Sequence, residues 1–497
     1  MKNYKDYVNH SRKITDLHMS MAVLGWDQET KMPKNGSKFR AQQLSTLAEI
    51  SHKLSIDNDY GNLLLKLSND NSLDKDQSRN IELSLKKIEK SKKYSSDFII
   101  EESKLISIAF QKWRLAKENN DFTIFENSLE NLVELRKKEC ELLGYKEHPY
   151  DALLNEYEPG LTTSEVEIIF SNIRDYLVPF IKKISCEAKI EDSFYFQYFN
   201  KDKQWGFGIN LLEKMGYDFD SGRQDISAHP FSTHFSPEDA RVTTRIDENN
   251  LSEMIWSCIH EGGHALYEQG ILSKNYGLPL GETVSLGIHE SQSRLWENNV
   301  GRSHAYWKNN YNSLKSIFPE QLSEVSANNF YQAANNVKPS LIRTNADELT
   351  YHLHVLIRFE IEKSLIEGSI SVNNLPSIWN AKYKEYLGID VPSVSKGVLQ
   401  DIHWSHGSFG YFPTYTIGSF YAAQFYNQAL NDIPNLENEI EEGNMKNLLD
   451  WLRKNIHQHG KRYDAQELCI KVTGVKLDFK YFMDYVKEKY TEIYSLK

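Results

Sequence analysis

Apolar residues recur every three or four positions over most of the chain, the pattern of amphipathic helices packed on a common core. Thr162 to Ile184 is the clearest stretch. Val166, Ile169, Phe170, Ile173, Leu177, Phe180, Ile181 and Ile184 share one face of the predicted helix. Thr162 and Glu165 have the spacing of a capping box, which closes orphan amides of the first turn. Weaker versions of the pattern fill the Lys-, Glu- and Leu-rich residues 1–150 and the stretch from Met445 onward. One region departs from the habit. HPFSTHFSPEDARVTTRID, His229 to Asp247, carries two prolines and then β-branched residues at Val242, Thr243, Thr244 and Ile246. That predicts a short strand or hairpin. Length alone allows about three domains, but no Gly/Pro/Ser-rich linker, repeat or low-complexity tract divides the chain. The expected fold is mainly α: one large helical body, a single domain over 1–497, with a small β-sheet.

Directly after the predicted strand comes LSEMIWSCIHEGGHALYEQG, Leu251 to Gly270. Leu251, Met254, Ile255 and Cys258 are spaced for burial on a helix. On that helix His260 and His264 lie one above the other, about 6 Å apart, a bite that suits one zinc ion. Glu261 sits one residue further round. It is displaced from the metal yet close enough to reach a water beside it, which is the physical content of H-E-x-x-H. Gly262 and Gly263 each weaken a helix by about 1 kcal/mol relative to alanine. They make sense where another backbone or a substrate comes close. A catalytic metal needs a third protein ligand and an open position. Glu290 follows His264 by 26 residues, in a second helical stretch from Leu286 to Val300, and is the expected ligand. His289 and Glu297 are its rivals. If Glu290 faces the metal, His289 points about 100° away and serves as a supporting or core histidine.

Charge and cysteine usage narrow the partners. The formal net charge is −11, with 58 Lys+Arg against 69 Asp+Glu. Nucleic acid is a poor partner for such a surface, because phosphate binding needs basic residues. The four cysteines are far apart and lack C-x-x-C spacing, which argues against a disulfide scaffold or a thiolate metal site. The first residues, MKNYKDYVNHSRKI, lack the apolar core of a signal peptide. No apolar run reaches the roughly 18 residues a membrane span needs. A cytoplasmic protein without membrane contact is expected.

HEGGHALYEQG followed by GIHESQSRLWEN resembles the carboxypeptidase Taq family of metallocarboxypeptidases. The likeness extends over nearly the whole chain. It includes WDQETKMPKNG (Trp26 to Gly36), HPF (His229 to Phe231), DARVTT (Asp239 to Thr244), IRTNADELTY (Ile342 to Tyr351) and GVLQDIHW (Gly397 to Trp404). HGSFGYFPTYTIGSFYAAQ and HQHGKRYDAQEL continue it. The resemblance implies a zincin-like, neurolysin-like helical fold with a deep groove. It also implies zinc-dependent removal of C-terminal residues from peptides, broad side-chain tolerance and a homodimer. Cobalt can replace zinc at a site of nitrogen and oxygen ligands. The rival functions are a zinc oligoendopeptidase, a dipeptidyl carboxypeptidase, and a catalytically dead helical interaction protein. An intact Glu261 argues against the last.

Within these segments, chemistry selects candidates. A metal held by His260, His264 and Glu290 needs Glu261 as general base. The oxyanion needs a neutral donor: Tyr415 first, then Tyr411, then His403. A free carboxylate is best gripped by the planar fork of arginine. Arg343 is favoured for that role. Arg241 is expected to hold substrate backbone or to pair with Asp239 or Asp347. Asp401 and His403 are placed to orient ligands from behind, and His229 to shape the groove.

Overall fold

A computed structural model describes residues 2–496; Met1 and Lys497, the ends of the 1–497 span, lie outside the described residues. Helices dominate, as the spacing predicts. Thr163–Ile184 is a helix whose Thr162 and Glu165 form the reciprocal capping box. Val166, Phe170, Ile173, Leu177, Ile181 and Ile184 are its buried face. Ile169 and Phe180 stay partly exposed and pack on the rim of the core. Beyond Met445 the chain forms the helices Lys446–Asn455, Ala465–Thr473 and Phe479–Tyr494. The N-terminal helices Lys2–Thr30, Asn58–Ser68 and Lys75–Lys92 enclose a minor core of Tyr7, Tyr60, Leu64, Leu67 and Ile81. Leu278, from the loop after the H-E-x-x-H helix, plugs into it. A cavity of about 630 Å³ lies where these helices meet His234, Phe235 and Glu268. Among the described residues no helix is long and apolar enough to cross a membrane.

The predicted hairpin is present, within a sheet of three strands ordered β1-β3-β2. These are β1 (Gln224–Ile226), β2 (Ser232–Ser236) and β3 (Asp239–Thr244). β2 runs antiparallel to β3, with Ser232 opposite Val242 and a register shift between His234 and Ser236. β1 runs parallel to β3, with Gln224 also opposite Val242. Three residues are too few for a period-two pattern to show, so the sequence does not announce β1. The long N-terminal helix is tied to this sheet. Lys31 Nζ lies 2.8 Å from Asp225, and the Trp26 ring lies 4.5 Å from the Arg241 guanidinium.

β3 leads into the helix Leu251–Gly270, capped by the Asn250 side chain on the Ser252 amide. Leu251, Met254, Ile255 and Cys258 are buried, as their spacing predicts. The two glycines in its middle are explained by close packing of protein on protein. A Cβ on Gly263 would stand 2.7 Å from Ser293 Cα and 2.8 Å from the Gln292 carbonyl oxygen. A Cβ on Gly262 would stand 2.6 Å from a Leu212 methyl. The partner behind Gly263 is the helix Leu286–Arg294, which widens into a π-helical segment, Leu295–Gly301. The helix Pro413–Asp432 crosses on the other side. Its Gly418 would place a Cβ 2.6 Å from Glu290 Cγ. Missing side chains therefore let three helices converge on Glu290.

Candidate metal centre

His260 and His264 project one turn apart from the central helix, their ring centroids 5.0 Å apart. Glu290 faces them from the neighbouring helix. Its Oε2 is 3.3 Å from His264 Nε2 and 3.8 Å from His260 Nε2. One ligand atom from each of the three lies within 4.8 Å of the others. Two imidazole nitrogens and a carboxylate oxygen at this mutual distance fit a divalent ion with an open position. Protonation agrees. Burial pushes His264 down to about 4, with His289 adding to the effect, so its ring is neutral and carries a lone pair. Burial pushes Glu290 up, but Arg294 and the histidines outweigh it and hold the carboxylate well below its usual range.

Of the two rivals for the third position, neither faces the histidine pair as Glu290 does. Glu297 lies behind His260. Its Oε2 is 2.8 Å from His260 Nδ1. Arg294 and Arg302 hold that carboxyl low against the cost of burial, so Nδ1–H donates to an ionised acceptor. This is the carboxylate support that metal-binding histidines usually have. Arg294 Nε reaches Glu290 Oε1 at 2.7 Å and its Nη1 reaches Glu297 at 3.2 Å. Glu290, Arg294 and Glu297 thus form one stripe, legible in the sequence as spacings of four and three. His289 turns away from the ligand atoms, and its ring lies 4.5 Å from that of His264, tilted by 22°.

Glu261 is buried beside the pair. Burial, reinforced by Glu290, pushes its carboxyl up to about 7, with His260 pulling the other way. Such a group exchanges a proton near neutral pH.

The third wall comes from the C-terminal half. Tyr415 OH is 3.3 Å from His403 Nε2. The Tyr411 ring lies 5.3 Å from those of both Tyr415 and His403. Burial raises both phenols above their usual range and pushes His403 down to about 3, so all three are neutral. Arg343 is buried beneath them. Its Nε and Nη2 lie 3.0 and 2.9 Å from Asp401 Oδ1, and Nη1 donates to Tyr351 OH at 3.0 Å. Asp401 Oδ2 accepts from Arg358 Nε at 2.7 Å. Burial raises Asp401, and the two guanidiniums more than reverse it. Tyr351 carries the connection back to the metal ligands, for Arg294 stacks on its ring at 4.5 Å.

Arg241 lies elsewhere. It makes a two-pronged pair with Asp239 at 2.7 and 2.8 Å and is flanked by Trp26 and Phe235. Asp347, its other candidate partner, instead caps the helix Thr350–Glu367 through the Thr350 amide and hydroxyl. His229 is exposed, and its carbonyl accepts from Ser227 Oγ at 2.6 Å. Several buried residues escaped the sequence reading. Glu362 accepts from Tyr150 OH, Trp404 Nε1 and the Gly410 amide, pinning the loop that leads to Tyr411. Arg358 and Gln400 brace Asp401 and Arg343. Arg358 falls in the buried first half of the helix Thr350–Glu367, where apolar neighbours hide it.

The model of the carboxypeptidase Taq (M32) metallopeptidase family matches residues 6–490. The chain belongs to that family. It is therefore a metallocarboxypeptidase, a peptide hydrolase that depends on a metal ion. The chain is 38% identical over 494 residues to carboxypeptidase 1 of Bacillus subtilis, covering 99% of each. A solved structure of a protein called CHT is 52% identical, with a TM-score of 0.97 over 99% of both chains. The M32 carboxypeptidase from Deinococcus radiodurans is 37% identical, with a TM-score of 0.98 over the full length of both. This metallopeptidase shares the mainly helical architecture of those neighbours, as the sequence pattern predicts.

Proposed function

We propose that the chain, working as one catalytic unit, removes single residues from the free C-terminus of peptides with broad side-chain tolerance. Zinc is the proposed ion, one per chain, with cobalt able to replace it. The observation that carries this reading is the convergence of His260, His264 and Glu290 beside a buried carboxyl, Glu261, pushed up to about 7. When bound, the ion polarises the scissile carbonyl and makes water a better nucleophile. Glu261 accepts the proton of the attacking water and returns it to the leaving amine. Glu297 holds the His260 ring in its ligating orientation. Tyr415 donates to the developing oxyanion, with Tyr411 and His403 the next candidates; the neutrality of all three supports donation at pH 7.

Arg343 grips the terminal carboxylate. Asp401 and Tyr351 fix the plane of its guanidinium, and Asp401 is a positioning residue in this account. Arg241, on β3 with Asp239 and Trp26, takes a smaller part, holding β3 and with it the substrate backbone. His229, exposed beside β2, shapes the groove mouth. A cytoplasmic homodimer completes the proposal.

The test is residue-by-residue trimming of a defined peptide, free acid against C-terminal amide, with and without chelator. Trimming of the acid, silence on the amide and loss with chelator are expected. Equal cleavage of acid and amide would point to an oligoendopeptidase and overturn the reading. Arg343→Ala should lower efficiency on the acid by about ten- to hundred-fold, the worth of a charge-assisted paired contact. Arg241→Ala should keep the acid-over-amide ratio; collapse of the ratio only in that variant reverses the two roles.

A further inference from the structure

Metal-binding histidines normally donate their second ring nitrogen to a carboxylate, carbonyl or water, which fixes the ring. The two histidines here are unequal in that respect. His260 has Glu297 at 2.8 Å. The other ring nitrogen of His264, Nδ1, is buried and meets no hydrogen-bond partner from the protein. What meets His264 instead is a ring. The His289 imidazole stacks on it with centroids 4.5 Å apart and planes 22° from parallel. His289 is itself held in place. Its Nε2 lies 2.8 Å from Glu268 Oε1, and the same oxygen lies 3.1 Å from His234 Nδ1. Glu268 is buried, on the central helix one turn beyond His264. The Tyr267 ring bounds His289 further at 5.6 Å.

We propose that His289 is a positioning residue: tethered by Glu268, its ring orients the His264 imidazole by stacking, in place of the hydrogen bond that His264 Nδ1 lacks. The tether explains why an imidazole stands there. A polar ring can be locked in rotation by a hydrogen bond at its edge while its face stays free to stack. The device also suits the local packing. Helix backbone presses so closely at Gly263 that a single Cβ would collide with it, and a flat ring needs less depth than a carboxylate with its own partners. His234, half exposed beside the cavity, completes the Glu268 anchor and adds no contact to the metal ligands.

The inference rests on the metal reading above, and its test separates the two. The dissociation constant of the apo-protein for zinc is measured by competition with a chromophoric chelator. The visible spectrum of the cobalt form reports ligand geometry. His264→Ala is the reference: if it leaves affinity intact, the metal reading itself fails. Given loss in that reference, His289→Ala is expected to raise the dissociation constant about tenfold and to shift the cobalt bands. His289→Phe keeps a stacking ring but loses the Glu268 tether, so it should recover only part of the affinity, to about the level of Glu268→Ala. Glu268→Ala leaves the ring untethered and should weaken binding several-fold, while Glu268→Gln, whose amide oxygen still accepts from His289, should restore it. A role confined to folding would lower the apo-protein's unfolding temperature without changing affinity or spectrum. Wild-type affinity in His289→Ala overturns the proposal. So does a folded His289→Phe protein that binds metal no better than His289→Ala.

Discussion

Removing the Glu297 carboxylate separates support of the metal site from support of the fold. Its Oε2 accepts from His260 Nδ1 at 2.8 Å and from Arg294 at 3.2 Å, and its Oε1 from Arg302 at 3.0 Å. Glu297→Ala deletes all three bonds. Deleting one member of a buried ion pair costs about 3–5 kcal/mol when its partner is stranded. Arg294 is not stranded here, and Arg302 loses its counter-charge but not all of its contacts. Arg294 keeps Glu290, and Arg302 keeps the Ala334 carbonyl and the face of Trp256. The stability loss should therefore fall near the low end of that range, about 3 kcal/mol, leaving a folded protein. Metal affinity should drop about ten- to hundred-fold, the usual effect of losing the carboxylate behind a metal-bound histidine. Glu290→Ala, which removes a ligand atom, should cost more affinity than that. Glu297→Gln keeps an oxygen for His260 and should recover most of it. Chelator competition on the three purified variants, with denaturant unfolding of their apo forms, gives both quantities. Complete loss of metal from Glu297→Ala with retention in Glu290→Ala would mean that the wrong carboxylate has been assigned to the ion. Unchanged affinity in Glu297→Ala would mean that His260 needs no support.

Glu261→Gln should keep its metal by elemental analysis and lose about a hundred- to ten-thousand-fold in turnover; full metal with near-normal rates removes Glu261 as the base. Gly263→Ala should destabilise by about 1–3 kcal/mol despite alanine's better helix propensity, because the new Cβ meets the backbone of Ser293 and Gln292; a gain in denaturant midpoint refutes that packing. Glu158, whose Oε2 accepts from the Gly287 amide at 2.9 Å, has its carboxyl pushed up to about 7 by burial. Its folded value exceeds its unfolded one, so the folded state binds more protons and stability falls as pH rises from about 4.5 to 7, by roughly 3 kcal/mol in all. Glu158→Gln should flatten that part of the stability–pH curve, and an unchanged slope assigns it to other groups.

Much of this protein can be read from the chain because the relevant physics is local. The three-four spacing of Val166 to Ile184 specifies a helix and its inward face, and the Thr162 and Glu165 cap needs only neighbours in sequence. His260 and His264 share a face because one helical turn separates them, which any helix would enforce. Glu290 was reachable as the third ligand because its own helix is the next α-helix along the chain.

The tertiary structure decided everything that depends on which helices meet. Glu290, His289 and Glu297 were all plausible ligands by type. Their different places follow from how close the helix Leu286–Arg294 can come, a distance set by Gly263 and Gly418 having no Cβ. The π-helical turn that carries Glu297 leaves no mark in a hydrophobic pattern. The sequence favours Arg343 over Arg241 for the carboxylate without showing how either is held. One is buried against Asp401, 58 positions away, and the other is paired with Asp239 two residues before it. Arg358 and Glu362 were invisible because a buried polar group reveals itself only through distant partners, here Asp401, Gln400, Trp404 and Tyr150. Secondary structure and its caps depend on contacts within a few residues, whereas the orientation of a ligand ring or a guanidinium is set by atoms that only the folded chain brings together.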